Sequence, residues 1–182
     1  MSTMIKRATG ERRPQRDVFI GPTSVGEEAG QISDFPLSVV VGADDEGEAM
    51  DAVVAELRAR RAGVEVVPTG PWPEVARRVA ETVAAGKAGF GVVACWTGTG
   101  TSIMANKVPG VRAALCWEPW IAEGARRWND ANVLVLSLKR TTAETARAIL
   151  DAWLSVGEPD ADEVANIAEI ARYEASRGEP DR

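Results

Sequence analysis

Cys95 closes the apolar run Phe90-Gly91-Val92-Val93-Ala94 and leads at once into Trp96-Thr97-Gly98-Thr99-Gly100-Thr101-Ser102. A thiol in that place can serve as a base or a nucleophile. Glycines two apart let successive backbone N–H groups turn toward one point, where they can hold an anion or a developing oxyanion. A strand end running into a helix start also favours the thiolate. The pattern is not a dinucleotide fingerprint, because the third glycine is missing at the required offset. Nor is it a P-loop, because no Gly-Lys-Ser/Thr follows. Two plainer readings stand beside the chemical one. The glycines could simply make a tight strand–helix turn, and Cys95 could be packing, since cysteine is among the most buried residue types. Cys116, at the end of the next apolar run, is read as packing.

A second polar group follows Gly42. Asp44, Asp45 and Glu46 could hold Mg²⁺ or another hard cation, but a solvated turn is the simpler reading, and no metal is expected. Composition narrows the chemistry further. The 182 residues contain no histidine. That excludes Ser–His and Cys–His pairs, imidazole-bound metals and imidazole pH sensing. Two cysteines cannot supply a four-thiolate zinc site or a disulfide framework. With 21 Lys and Arg against 27 Asp and Glu, the formal charge is -6, which argues against nucleic acid as partner. No stretch approaches the roughly 18 apolar residues of a membrane span. A reduced, cytoplasmic setting without a cofactor is expected.

These groups need elements to hold them. Leu37 to Val41 reads as a buried strand, and Met50, Val53, Val54 and Leu57 as a helix stripe ending before Gly63. Val64–Val67 is a second strand, and Val75, Val79 and Val83 mark a second helix. The run ending at Cys95 is a third strand, followed by a helix through Ile103, Met104 and Lys107. Val111–Leu115 is a fourth strand, Pro119–Trp128 a helix, and Asn132–Leu136 a fifth strand. Ala146, Ile149, Leu150 and Trp153 stripe the next helix, and a last one runs from about Asp160 to Ser176. Alternation of this kind predicts an α/β, Rossmann-like three-layer sandwich around a five-stranded parallel sheet, with a C-terminal helix. Ligands then sit beyond the carboxyl ends of the strands, at the turns after Val41, Cys95, Cys116 and Leu136. Residues 1–36, with Lys6, Arg7, Arg12, Arg13 and Arg16 near the start, are read as an extension outside the core. An Arg-rich, acid-poor start is also a feature of organelle transit peptides.

Three blocks carry a resemblance: Gly42-Ala43-Asp44; Cys95 through Ala114, including Ala105-Asn106-Lys107-Val108-Pro109-Gly110-Val111-Arg112; and Glu118-Pro119 with Asn129-Asp130-Ala131-Asn132-Val133-Leu134. In these the chain resembles the ribose-5-phosphate isomerase B and galactose-6-phosphate isomerase family over about residues 37–157. The resemblance implies an aldose–ketose isomerase working through an enediolate, with the thiol at Cys95 as base and Thr97 assisting proton movement on the oxygens. It implies oxyanion donors around Gly98, Thr99 and Gly100, hydroxyl contacts from Asp44, and a pocket contribution from Asn129. It also implies an active site between two subunits, hence a homodimer or homotetramer. The organisation is then an extension (1–36), an isomerase domain (37–157) and a C-terminal helix at an interface (158–182).

The departures matter as much. Asp45 stands where the family has histidine, and Trp128 where a ring-opening histidine precedes Asn-Asp. Trp96 replaces the glycine after the cysteine, Trp117 replaces a small or polar residue, and Pro71-Trp72-Pro73 replaces Asp-Tyr-Pro. The stretch Gly157–Glu163 is acidic where the family supplies arginines for the substrate phosphate, leaving Lys139 or Arg140 as nearby cations. Phosphate wants charge-assisted donors. The expectation is therefore an altered, non-phosphorylated sugar-like substrate contacted by Asp44, Asp45, Trp96, Trp128 and Asn129. Trp153, on a helix stripe, is read as core. Two other readings remain: a non-catalytic partner or binding subunit of the same family, and a different proton-transfer reaction on the same scaffold.

Overall fold

The computed structural model describes residues 37–177. The reading of residues 1–36 lies outside them. Five parallel strands alternate with helices: β1 Ser38–Ala43, α1 Glu48–Ala59, β2 Gly63–Val66, α2 Trp72–Ala84, β3 Phe90–Cys95, α3 Thr99–Ala105, β4 Ala113–Leu115, α4 Pro119–Asn129, β5 Val133–Ser137 and α5 Ala143–Leu154. A 3₁₀ turn, Ala161–Glu163, leads into α6, Val164–Arg177. The sheet order is β2-β1-β3-β5-β4. β1 and β3 therefore sit side by side at its centre, as the doubly wound expectation requires.

The central strands are apolar except at Ser38 and Ser137, their ends, because both faces of the sheet are covered. Val39 and Val41 point to one face, against Met50, Val53 and Leu57 of α1 and Ile149, Leu150 and Trp153 of α5. Val40, Val93, Val133 and Val135 point to the other, against Val75, Val79 and Val83 of α2. Trp153 is almost wholly enclosed, the core position its spacing predicts. Full burial of side chains such as Leu134 and Leu136 is worth about 1.5–3 kcal/mol each. Pro119 sits in the first turn of α4, where its missing N–H costs no helix bond. The Thr142 side chain caps α5 by accepting from the Thr145 N–H.

Two elements differ from the sequence reading. The fourth strand covers only Ala113–Leu115. Gly110 takes φ +81° and the Val111 N–H closes a turn onto the Val108 carbonyl, so Val111 packs into the α2-side core before the strand begins. The last helix begins at Val164 rather than Asp160, because the Asp160 carbonyl is taken by the Glu163 N–H in the 3₁₀ turn. No helix among the described residues is long and apolar enough to cross a membrane.

Candidate active site

Strand register builds the site. Ala43 pairs with Ala94 and Cys95 with Ser137, so the carboxyl ends of β1, β3 and β5 bring Asp44, Cys95 and Ser137 into one row. The Asp44 N–H reaches the Ala94 carbonyl at 3.3 Å and extends that row. The loop after β5 is stitched to the end of β3. Leu138 N–H donates to the Cys95 carbonyl at 3.0 Å, Lys139 N–H to the Trp96 carbonyl at 3.1 Å, and Ser137 Oγ to the same carbonyl at 2.9 Å. The Lys139 ammonium lies 5.1 Å from the Trp96 ring centroid, within cation–π range. Trp96 itself is 60% exposed and presents its indole to solvent beside the thiol.

The glycines of the turn have separate reasons. Gly98 adopts φ +78°, the left-handed region. A Cβ there would also lie 2.4 Å from Leu115 Cδ1 and 2.9 Å from the Leu136 carbonyl oxygen, so conformation and space both demand glycine. Gly100 lets the Trp72 ring lie on the loop, 3.1–3.3 Å from where a Cβ would stand. The Gly98 N–H is spent on the Cys95 carbonyl at 3.1 Å. That leaves the N–H groups of Thr99 and Gly100, in the first turn of α3, as the ones an oxyanion could recruit. Thr97 and Thr99 are exposed and share a 2.7 Å hydroxyl–hydroxyl hydrogen bond at the rim.

Cys95 is only 5% exposed. Its sulfur accepts a hydrogen bond from Thr101 Oγ1 at 3.4 Å, and Thr101 is completely buried. Thr101 is the site member that motif reading left without a role, because it reaches the sulfur only once the helix turns it back. Trp72, marked in the sequence as a departure from the family, arrives from α2 to lie on Gly100. The two cysteines differ sharply. Cys116 lies wholly inside the apolar core, and burial pushes its thiol up to about 12.

Asp44 has a buried Oδ1 that finds no hydrogen-bond partner among the described residues. Desolvation raises its carboxyl above the usual aspartate value, its own backbone N–H offsets part of this, and the neighbouring Asp45 adds to it. The folded protein thus holds the Asp44 proton to higher pH than the unfolded chain. The associated stability is present in acid and is lost as pH rises through the raised folded value; at neutral pH the carboxylate is a cost. Asp44→Asn is accordingly expected to raise Tm by roughly 2–4 °C at pH 7 and to narrow that gain toward pH 4. Thermal melts across that range check it, and an unchanged or lower Tm at pH 7 contradicts it. Asp45, one residue on, is exposed and caps the Glu46 N–H at 2.8 Å in the turn.

Trp128 and Asn129 lie elsewhere. They end α4, just before β5 begins at Val133, and Val133 pairs with Gly91 at the start of β3. They therefore stand at the amino end of the sheet, with the length of β3 between them and Cys95. Within one chain the two groups do not meet. The Trp128 ring packs over Gly124, where a Cβ would come within 2.6 Å, and meets Trp120 edge-on at 5.8 Å between centroids. Asn129 is exposed, and its setting is rigid. Asp130 follows it in the left-handed region at φ 46°, clamped by Arg112 Nη2 at 2.7 Å and by Arg112 Nε on its carbonyl at 2.7 Å. At this end a cleft of about 670 Å³ runs between α6 and the loops before β4 and β5, lined by Lys107, Arg112, Asn129, Ile170, Tyr173 and Arg177 among others. α6 buries no side chain completely and touches the loop through Glu174 Oε2, which accepts from the Gly110 N–H at 2.9 Å.

The site is thus a thiol, an aspartate and a glycine-bearing turn on adjacent strand ends of an α/β sandwich. Residues 39–170 match the family described as Ribose/Galactose Isomerase, and the chain belongs to that family. It is an isomerase by that membership. It is 43% identical over 109 residues to ribose-5-phosphate isomerase B of Escherichia coli, covering 56% of this chain and 72% of that one. It is 32% identical over 146 residues to D-erythrulose-4-phosphate isomerase of Pectobacterium atrosepticum, covering 76% of this chain and 95% of that one. Among solved structures, ribose-5-phosphate isomerase B of Clostridium thermocellum superposes with a TM-score of 0.74 at 32% identity, covering 78% of this chain and 99% of that one.

Proposed function

We propose that the chain interconverts an aldose and a ketose through an enediolate, with Cys95 moving the proton between the two carbons and Thr97 serving the oxygens. The observation that carries this reading is the row Asp44–Cys95–Ser137 set beside the Thr97–Gly100 turn. A thiol and a carboxylate with an unspent oxygen on adjacent strand ends, next to a turn with unspent amide donors, support it. The buried Asp44 oxygen gains a partner when a sugar hydroxyl donates to it, which relieves the cost of leaving it bare. The N–H groups of Thr99 and Gly100 stabilise the enediolate oxygen, and such preorganised donors are the largest single contribution expected in this chemistry.

In this reading the substrate end remote from the reacting carbons is unphosphorylated, on the acidic character of the stretch before α6. Glu158, Asp160, Asp162 and Glu163 crowd the stretch before α6; Asp160 faces Arg127 at 3.6 Å and Glu163 accepts from Asn166 at 2.9 Å. This acidic stretch favours a neutral over a dianionic group beside it. Trp96 and Trp128 instead offer aromatic faces suited to the C–H face of a sugar or sugar-like ring.

Completion of the site takes a second copy. Trp128 and Asn129 stand at the amino end of one sheet and Cys95 at the carboxyl end, so an antiparallel two-fold pairing joins one copy's Cys95 to the other's Asn129. In this reading α6 and residues 158–163 belong to that interface.

A thermal-shift panel of D-ribose, D-ribulose, D-erythrulose and their phosphate esters tests the substrate class. A free sugar at saturating concentration is expected to raise Tm by roughly 5–10 °C. The phosphate esters are expected to do no better. Strong stabilisation by ribose 5-phosphate, lost in Lys139→Ala and Arg140→Ala, contradicts the non-phosphorylated assignment.

A further inference from the structure

We propose that Thr101 is a positioning residue for the Cys95 thiolate, a hydroxyl that turns its single proton onto the sulfur when the thiol ionises. The inference rests on the reading of Cys95 as base and deepens it. Thr101 Oγ1 lies 3.4 Å from Cys95 Sγ and 3.1 Å from the Gly98 carbonyl oxygen. One hydroxyl proton cannot serve both acceptors at once, and the two protonation states of the thiol divide them. With the thiol neutral, S–H donates to Oγ1 and the hydroxyl donates to the Gly98 carbonyl. With the thiolate, sulfur is an acceptor only, and the hydroxyl rotates to donate to it. The Gly98 carbonyl is not orphaned by the turn, because the Ser102 N–H holds it at 3.0 Å in either state.

The proton balance is complete without Thr101 ionising. As the thiolate takes a proton from the sugar carbon, an S–H bond forms, a C–H bond breaks and its electron pair enters the enediolate, and the hydroxyl swings back to Gly98. When the thiol returns the proton to the adjacent carbon, the hydroxyl swings forward again. The device suits a buried base. Cys95 has almost no solvent contact, so its charged form must be stabilised by the chain, and Thr101 is the fully buried hydroxyl in reach. The nearest charged groups on the flanking elements are Asp44 and the exposed Asp45 on the turn after β1, and Lys139 and Arg140 on the loop after β5. None of these is altered in a Thr101 variant.

The test is the ionisation of Cys95, followed by thiolate absorbance near 240 nm in the full chain. The Cys95→Ala protein is subtracted at each pH to remove Tyr173 and Cys116. Thr101→Val keeps the shape and removes the proton donor; Thr101→Ser restores it. Thr101→Val is expected to move the midpoint up by about 1–2 pH units, the scale of a hydrogen bond to a charged group. Thr101→Ser is expected to return it to the wild-type value, and the acid limb of the kcat/KM profile should move with the titration. A Thr101→Val curve superimposable on wild type overturns the proposal, as does a Thr101→Ser curve displaced as far as that of Thr101→Val. Failure of the base assignment looks different: Cys95→Ala would retain turnover while the Thr101 titration still shifted.

Discussion

Cys95→Ala is expected to lower kcat by about 10²–10⁴-fold, the range lost when a positioned acid–base group is removed. The same variant should fold, with Tm reduced by roughly 2–4 °C. The change deletes one sulfur atom and one 3.4 Å hydrogen bond at a position only 5% exposed. Circular dichroism and a steady-state isomerase assay on the sugar selected by the thermal-shift panel separate the two effects. Near-wild-type turnover in a folded Cys95→Ala protein would remove the thiol from the chemistry. The direction of the effect follows from where β3 ends. Asp44 and Ser137 flank the sulfur on the neighbouring strand ends; in the proposed reading Asp44 serves the substrate hydroxyls and Ser137 donates to the Trp96 carbonyl, which leaves Cys95 as the base.

A larger qualitative effect is expected from mixing two inactive proteins. Asn129→Ala should lose activity as Cys95→Ala does, because in the proposed dimer each removes one half of a shared site. After subunit exchange, an equal mixture of the two should recover about a quarter of wild-type activity. Half of the dimers are then mixed, and each mixed dimer holds one intact site and one doubly defective site. The ground for this is distance along the fold. α4 delivers Asn129 to the amino end of the sheet, while Cys95 closes its carboxyl end, and the Arg112 clamp on Asp130 fixes Asn129 in that place. No recovery after exchange has been demonstrated with labelled subunits would mean that each chain works alone.

Much of this was legible before any coordinates. The β-branched runs ending at Val41, Cys95 and Leu136 mark strands buried on both faces, and they are the strands whose ends carry the candidate site. The turn after Cys95 was readable as a glycine-dependent turn, and Gly98 shows why: a positive φ and a Leu115 methyl where its Cβ would be. The Ribose/Galactose Isomerase family was readable from the blocks around Asn106–Arg112 and Asn129–Leu134. Side-chain contacts across elements were not. Nothing in the order of residues says that Thr101 meets the sulfur, that Trp72 leaves α2 to lie on Gly100, or that Lys139 stacks on Trp96. The end of the sheet on which Trp128 stands was also obscured. β4 came out shorter than its apolar pattern because Val111 is buried by a turn rather than by a ladder, and periodicity alone cannot tell those apart.

The claim that proton transfer passes through Cys95 is tested most directly by running the reaction in D₂O and following deuterium at the carbon beside the carbonyl by NMR. The wild-type protein is expected to build deuterium into D-ribulose or D-erythrulose as it isomerises them, and folded Cys95→Ala to build in none. Deuterium entering at the wild-type rate in Cys95→Ala, or no exchange by the wild type with any free or phosphorylated sugar of the panel, would contradict the account.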